Sequence, residues 1–162
     1  MKSKKPAKAR KGAREKIKQA FSSQPGQPRQ VAALPWRETA AGLEIMLVSS
    51  RDTGRWIIPK GWPMAGRSAA AAAAIEALEE AGLLGLVSPE PIGHYDYVKR
   101  FPRSAHKVRV EVFSLRVVRQ RGDWPEKVQR NTQWFDAATA AELVSDADLA
   151  NVINAFIKRP SA

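Results

Sequence analysis

The stretch Gly61–Gly85, GWPMAGRSAAAAAAIEALEEAGLLG, sets six consecutive alanines, Ala69–Ala74, in front of three glutamates and a glycine. Alanine has the highest helix propensity, Ser68 is a residue type that caps a helix start, and Gly82 stands where helices commonly end in a left-handed residue. The pattern predicts a helix over roughly Ala69–Ala81. On it, Glu76, Glu79 and Glu80 fall at i, i+3 and i+4 and gather on one face, while Ala71, Ala74, Leu78 and Gly82 are expected to form the apolar face that anchors the helix. Like charges so placed cost several tenths of a kcal/mol per pair on an open surface, and the negative end of the helix dipole adds to the penalty. Taken alone, the acidic turn reads either as a solvated helix end or as a seat for a hard divalent cation, since Mg²⁺ and Mn²⁺ favour carboxylate oxygen.

Outward from the helix, the chain alternates between strand-like and helix-like stretches. QVAALPWR and LEIMLVSS are apolar runs of strand length on either side of the turn-like ETAAG, which fits an antiparallel pair, and RWIIPKGWP reads as one short strand stopped by Pro59, Gly61 and Pro63. IGHYDYV, HKVRVEVFSLRVV and TQWF are further strands, followed by two closing helices. The last of these presents Leu149, Val152, Ile153 and Phe156 at i, i+3, i+4 and i+7, a stripe expected in the core. Mixed strands with separated helices predict an α/β sandwich.

Charge divides the chain in two. Of a formal net charge of +11 over 162 residues, the first 29 residues hold ten Lys/Arg against the single Glu15, leaving 17 basic and 15 acidic residues for the remainder. Residues 1–29 therefore read as a basic, disordered tail and 30–162 as the folded domain. The tail either solubilises the protein or contacts nucleic acid or another anionic surface, because clustered Lys/Arg suffice to attract phosphate. It lacks the apolar run of a secretory signal, no stretch approaches a membrane span, and the absence of cysteine excludes disulfides, thiol catalysis and cysteine-ligated metals. These features lead us to expect a soluble, cytoplasmic protein.

Gly61, Glu76, Glu79, Glu80, Gly82 and Leu83 stand at the spacings of the Nudix signature: a glycine, five residues, a glutamate, seven residues, then Arg-Glu, an aliphatic residue, any residue, Glu-Glu, any residue, glycine and an aliphatic residue. VSSRDTGRWIIPKG and GDWPEKVQRNTQWF also resemble that family's second strand with its loop and its late loop with its strand. The chain thus resembles the Nudix hydrolases over roughly Gln30–Phe156, and most closely their diphosphoinositol polyphosphate phosphohydrolase branch. The resemblance implies an α/β/α sandwich with a mixed β-sheet. It also implies metal-dependent hydrolysis, with Mg²⁺ or Mn²⁺, of a diphosphate linkage in a small polyanionic substrate.

By the same resemblance Glu76 and Glu80 are the main metal ligands, with Glu79 as a further ligand or as the base that takes a proton from attacking water. Ser50, Arg51, Arg55, Lys60, Gly61, His106 and Lys107 are the implied substrate contacts, although Arg51 and Arg55 also suit a plain polar loop and His106 a surface position. Glu111 reads as a fourth ligand or as half of an ion pair with Arg109, and the ion pair is the expectation. Lys99, Arg100, Arg103 and Lys107 form a basic group that suits a highly charged substrate and equally suits solvent. Two signature positions differ. Arg67 replaces the first glutamate, and Ile75 replaces the arginine that in the family helps orient a catalytic glutamate, so a charge-assisted support is expected to be missing and the site to be slow. Two other readings follow from these departures and from the tail: a Nudix-fold binding module with weakened catalysis, or a pyrophosphohydrolase acting on RNA 5′ ends.

Overall fold

Alternate residues of the first two strands divide cleanly between two cores. In β1 (Arg29–Thr39), Val31 and Ala33 enter one cluster and Ala32 and Leu34 the other; in β2 (Gly42–Ser49), Met46 and Val48 separate from Ile45 and Leu47 in the same way. Side chains two apart on a strand share a face, so a sheet that is apolar on both faces must be covered on both. The computed structural model describes residues 26–160, and it shows that arrangement. The bulk of the basic tail, residues 1–25, lies outside the described residues, and with it the expected disorder and the alternative contact with nucleic acid or another anionic surface.

The remaining elements are β3 (Trp56–Ile57), β4 (Lys60–Gly61), α1 (Ala69–Ala81), β5 (Leu83–Val87), β6 (Gly93–Phe101), β7 (Ser104–Gln120), β8 (Thr132–Asp136), α2 (Ala137–Leu143) and α3 (Ala147–Lys158). Strand β1 is central: it pairs antiparallel with β2 and β4 and parallel with β7, Arg29–Trp36 against Arg109–Arg116. All other pairings are antiparallel, with β3 and β8 on β2, and β5 and β6 on β7. Helix α1 packs on one face with Val31, Ala33, Met46, Val48, Phe113 and Leu115. Helices α2 and α3 cover the other, where Leu149, Val152, Ile153 and Phe156 are all buried as their spacing predicts. The result is the expected α/β/α sandwich around a mixed sheet.

Helix α1 runs over the predicted residues. Ser68 Oγ accepts from the Ala71 N–H at 3.1 Å, and Gly82 closes the helix at φ +69°. Its buried face, however, is Ala70, Ala73, Ala77 and Ala81 with Ala72, while Ala71, Ala74 and Leu78 are only half-buried. The anchoring face is turned by one residue from the expected one, and this carries Glu76 and Glu80 inward with the alanines. Other local expectations are also corrected. RWIIPKGWP forms two short strands rather than one, because Ile58 and Pro59 carry the chain from β2 across to β1, where Pro59 C=O accepts from the Ala33 N–H at 3.0 Å. Strand β5 was not anticipated. Arg109 does not pair with Glu111: Arg109 Nε donates to Asp96 Oδ1 at 3.1 Å across the β6–β7 ladder, and Glu111 faces Arg29 at 3.5 Å. The Arg109 hydrogen bond holds the Asp96 carboxyl below the usual carboxylate range.

Candidate functional site

The acidic turn of α1 is not a solvated helix end. Glu76 and Glu80 are only 6% and 4% exposed, and Glu79 beside them is half-buried. Carboxylates are rarely so enclosed without partners, because desolvation of the charged form is costly. The partners come from two directions. Strand β4 passes beneath the helix end, and its Lys60 N–H donates to Glu80 Oε2 at 3.1 Å. Next to it, Gly61 lies so close to Glu76 that a Cβ there would stand 2.3 Å from the carboxyl carbon. Glycine at 61 is what lets strand and carboxylate meet.

The second direction is the segment between β7 and β8. Arg130, whose side chain is 7% exposed, donates through Nη2 to Glu80 Oε1 and Glu126 Oε1, both at 3.1 Å, and through Nη1 to Ser49 C=O at 3.1 Å. The same segment also serves the orphan carbonyls that any helix end exposes. Glu79 C=O accepts from the Glu126 N–H at 3.0 Å, Glu80 C=O from Trp124 Nε1 at 3.2 Å, Ala81 C=O from Gln120 Nε2 at 3.0 Å, and Gly82 C=O from the Arg121 N–H at 2.8 Å. Residues 120–130 are thus a strap across the C-terminal end of α1. Burial pushes the Glu80 carboxyl up, opposed by Arg130 and reinforced by Glu76 and Glu126. Burial likewise draws the Lys60 ammonium down, and its Nζ lies 4.7 Å from the centre of the Tyr97 ring.

Of the residues singled out in the sequence, the structure gathers Glu76, Glu80, Lys60 and Gly61 directly. Ser50 and Arg51 follow Ser49 at the end of β2, and Arg51 Nη1 reaches Gln129 Oε1 at 3.2 Å and Glu126 at 3.5 Å, which places it on the strap. Ser50 Oγ and Thr53 Oγ1 share a hydrogen bond at 2.5 Å, and Arg55 Nε donates to that threonine at 3.1 Å, so Arg55 is engaged within its own loop. His106 and Lys107 belong to the β6–β7 hairpin, where His106 shares a 3.1 Å hydrogen bond with Ser104 and Lys107 lies 3.7 Å from Asp96. Arg67 is exposed just ahead of the helix. Sequence reading missed Ser49, Glu126 and above all Arg130. The last supplies to Glu80 a charge-assisted contact of the kind expected to be missing at Ile75, and it comes from a loop 50 residues away in the chain.

The donor chemistry of Glu76, Glu79 and Glu80 fits a hard divalent cation: carboxylate oxygens only, two of them buried, with Gly61 leaving space against Glu76. Among the described residues, however, no three His, Asp or Glu side chains converge closely enough to hold a metal in the present arrangement. Two hollows of about 310 and 430 Å³ open elsewhere, around Gly93 and His94, one lined by Arg29, Arg109 and Glu111 and the other by Asp148 and Asn151. No helix among the described residues is long and apolar enough to cross a membrane.

Comparison with known proteins adds to this geometry. The family model described as NUDIX domain matches residues 26–156. Among curated relatives, the Arabidopsis thaliana proteins named Nudix hydrolase 21, chloroplastic, and Nudix hydrolase 12, mitochondrial, are 30% identical over 133 residues and 27% identical over 120. The matches cover 80% and 72% of this chain but 66% and 59% of those proteins, so the chain spans less than two thirds of their length. Their organelle names lend no support to the expected cytoplasmic location. Among solved structures, a C. elegans Ap4A hydrolase binary complex superimposes with a TM-score of 0.59 at 19% identity, covering 79% of this chain and 93% of that one. The NUDIX domain of Shewanella oneidensis NrtR complexed with ADP ribose gives 0.62 at 14% identity, covering 86% and 95%. At such identities these likenesses concern the fold.

Proposed function

Because this chain belongs to the Nudix family, we propose that it hydrolyses a diphosphate linkage in a small polyanionic substrate of the diphosphoinositol polyphosphate or dinucleoside polyphosphate type, using Mg²⁺ or Mn²⁺. The observation that carries this reading is the burial of Glu76 and Glu80 one helical turn apart at the negative end of α1, with Arg130 as the cation held against Glu80. Burying two carboxylates so close together is unfavourable for stability, and a bound divalent cation reverses the sign of that local energy.

In this reading Glu76 and Glu80 hold the cation, which when bound neutralises phosphate oxygens and makes the attacking water more acidic. Glu79, less enclosed than its neighbours, accepts the water proton. Ser50 and Arg51 present a hydroxyl and a guanidinium beside the strap, and a guanidinium matches the paired oxygens of a phosphate group. Lys60 and Gly61 fix the strand edge facing the acids. His106 and Lys107, with Lys99, Arg100 and Arg103, extend positive charge along the hairpin for the distal phosphates. The attack occurs at phosphorus and needs no covalent enzyme intermediate.

The test is phosphate release from a panel containing a diphosphoinositol polyphosphate, a dinucleoside polyphosphate, a nucleotide sugar and a 5′-triphosphorylated RNA, each with and without Mg²⁺ or Mn²⁺. Cation-dependent release from one of the first two supports the reading, and preference for the RNA replaces the substrate assignment. A binding module is the second reading, favoured by the fact that both Glu80 oxygens already have donors; tight ligand binding without release on any member of the panel would establish it.

Gly61→Ala separates the two. The added Cβ meets the far end of a flexible side chain rather than backbone, so the fold survives while the Glu76 carboxylate swings away. An enzyme should lose about tenfold or more in kcat, since displacements near 1 Å at reacting groups have effects of that order. Circular dichroism and the melting curve should change little.

A further inference from the structure

Glu80 receives a donor on each oxygen, and the two donors differ in kind. One is the Lys60 backbone N–H, fixed by the β1–β4 ladder; the other is the Arg130 guanidinium, delivered by a segment with no regular secondary structure of its own. The guanidinium is itself held on three sides. It touches Glu80 on α1, Glu126 within the strap and Ser49 C=O at the end of β2, and its side chain is almost wholly enclosed. An arginine so fixed has little conformational freedom left, and its planar fork transmits that rigidity to whatever it holds.

We propose that Arg130 is a positioning residue for the hydrolytic site: it fixes the rotamer of Glu80, and through Ser49 it sets the distance between the acidic turn and the loop carrying Ser50 and Arg51. This rests on the hydrolase reading above. Strap and acidic turn form one unit, because the residues that satisfy the last carbonyls of α1 also carry Arg130 to its place. Arg130 acts through Glu80 and the loop, and no contact with substrate is assigned to it. The charge balance agrees with this role. Arg130 pairs with Glu80 and Glu126 together, and Arg51 stands 3.5 Å from Glu126, so the guanidinium orders two carboxylates at once while Arg51 shares the charge of the second.

The experiment compares the full-length chain with Arg130→Met and Arg130→Lys. Three quantities are measured: kcat and KM on the best substrate from the panel, binding of Mn²⁺ alone followed by loss of the free-ion paramagnetic resonance signal, and the melting curve. In Arg130→Met we expect kcat to fall about 10- to 100-fold with KM within about threefold, and Mn²⁺ affinity to fall about tenfold or more, the range seen when outer supports of metal ligands are removed. Arg130→Lys retains the charge but cannot bridge three acceptors with one fork, so it should fall between the two. It also carries the test if the methionine variant does not fold. A folded variant with wild-type kcat and Mn²⁺ affinity overturns the proposal. So does a tenfold rise in KM at unchanged kcat, which would make Arg130 a substrate contact. If the wild-type chain turns over nothing in the panel, the hydrolase reading fails on its own, and equal Mn²⁺ binding by all three proteins would then overturn the positioning role as well.

Discussion

Glu80→Gln should reduce turnover by at least about 100-fold, more than the loss of an outer support, because the charge itself is removed from the proposed ligand set. The fold should survive. Glutamine keeps the volume of the side chain, and Arg130 retains Glu126 and Ser49 C=O as acceptors. The amide offers only one acceptor oxygen to the two donors that face it, Lys60 N–H and Arg130, so one donor is left opposite an NH₂ group at a cost of about 1–3 kcal/mol. Against that, substitution removes a carboxylate whose charged form burial disfavours. The melting temperature should therefore move by only a few degrees, given about 2–4 °C per kcal/mol for a domain of this size. Phosphate release at saturating substrate, measured beside a thermal melt, decides the matter; activity within tenfold of wild type would remove Glu80 from the site.

Gly82→Ala should have the largest effect on stability. Gly82 adopts φ +69°, where a side chain costs roughly 1–2 kcal/mol, and a Cβ there would stand 2.4 Å from the Trp124 ring. Trp124 is neither distant nor free to leave, since its Nε1 holds the Glu80 carbonyl. Moving the indole gives up that bond and loosens the strap, for a total near 3 kcal/mol and a fall in melting temperature of roughly 6–12 °C. Turnover should drop with it, because the displaced segment carries Arg130. A melting temperature within about 2 °C of wild type would show that the strap adds little to the stability of the helix end. Gly82→Asn distinguishes the two causes: asparagine tolerates the left-handed backbone better but brings the same Cβ, so the steric part of the loss should remain.

What could be read from the sequence follows from the range of each interaction. Helix α1 and its caps were legible to the residue because propensity, the Ser68 hydroxyl and the Gly82 conformation act within a few positions. Which side of that helix is buried was not, since a run of six alanines offers no contrast between faces; packing against the sheet chose Ala70, Ala73, Ala77 and Ala81. Strand β5 was hidden because Leu84 and Leu86 are exposed and Gly85, which lies where a side chain would strike Arg116 C=O, interrupts the pattern. The partner of Arg109 depends on the β6–β7 register, which sets it opposite Asp96. The acidic candidates stood out because their spacing matches the Nudix signature, whereas taken alone the turn also read as a solvated helix end. Their arginine did not, because nothing local distinguishes Arg130 from any other basic residue of a polar loop.

The parallel pairing of β1 with β7 has a temporal meaning as the chain is made. Strand β1 is the centre of the sheet, yet one of its edges must wait for residues 109–116, the last of them 77 positions beyond its own end at Thr39. At roughly 5–20 residues per second, that is a delay of about 4–15 s during which an apolar edge stands open on the nascent chain. The helix bearing the glutamates is synthesised well inside this interval, before the strand that completes its floor and before the segment that closes over its end. Its carboxylates consequently begin as an ordinary wet acidic turn. Strand β4 is already made to meet them, but Arg130 and the rest of residues 120–130 arrive later, so the full enclosure of the acidic turn is among the last features the growing chain acquires.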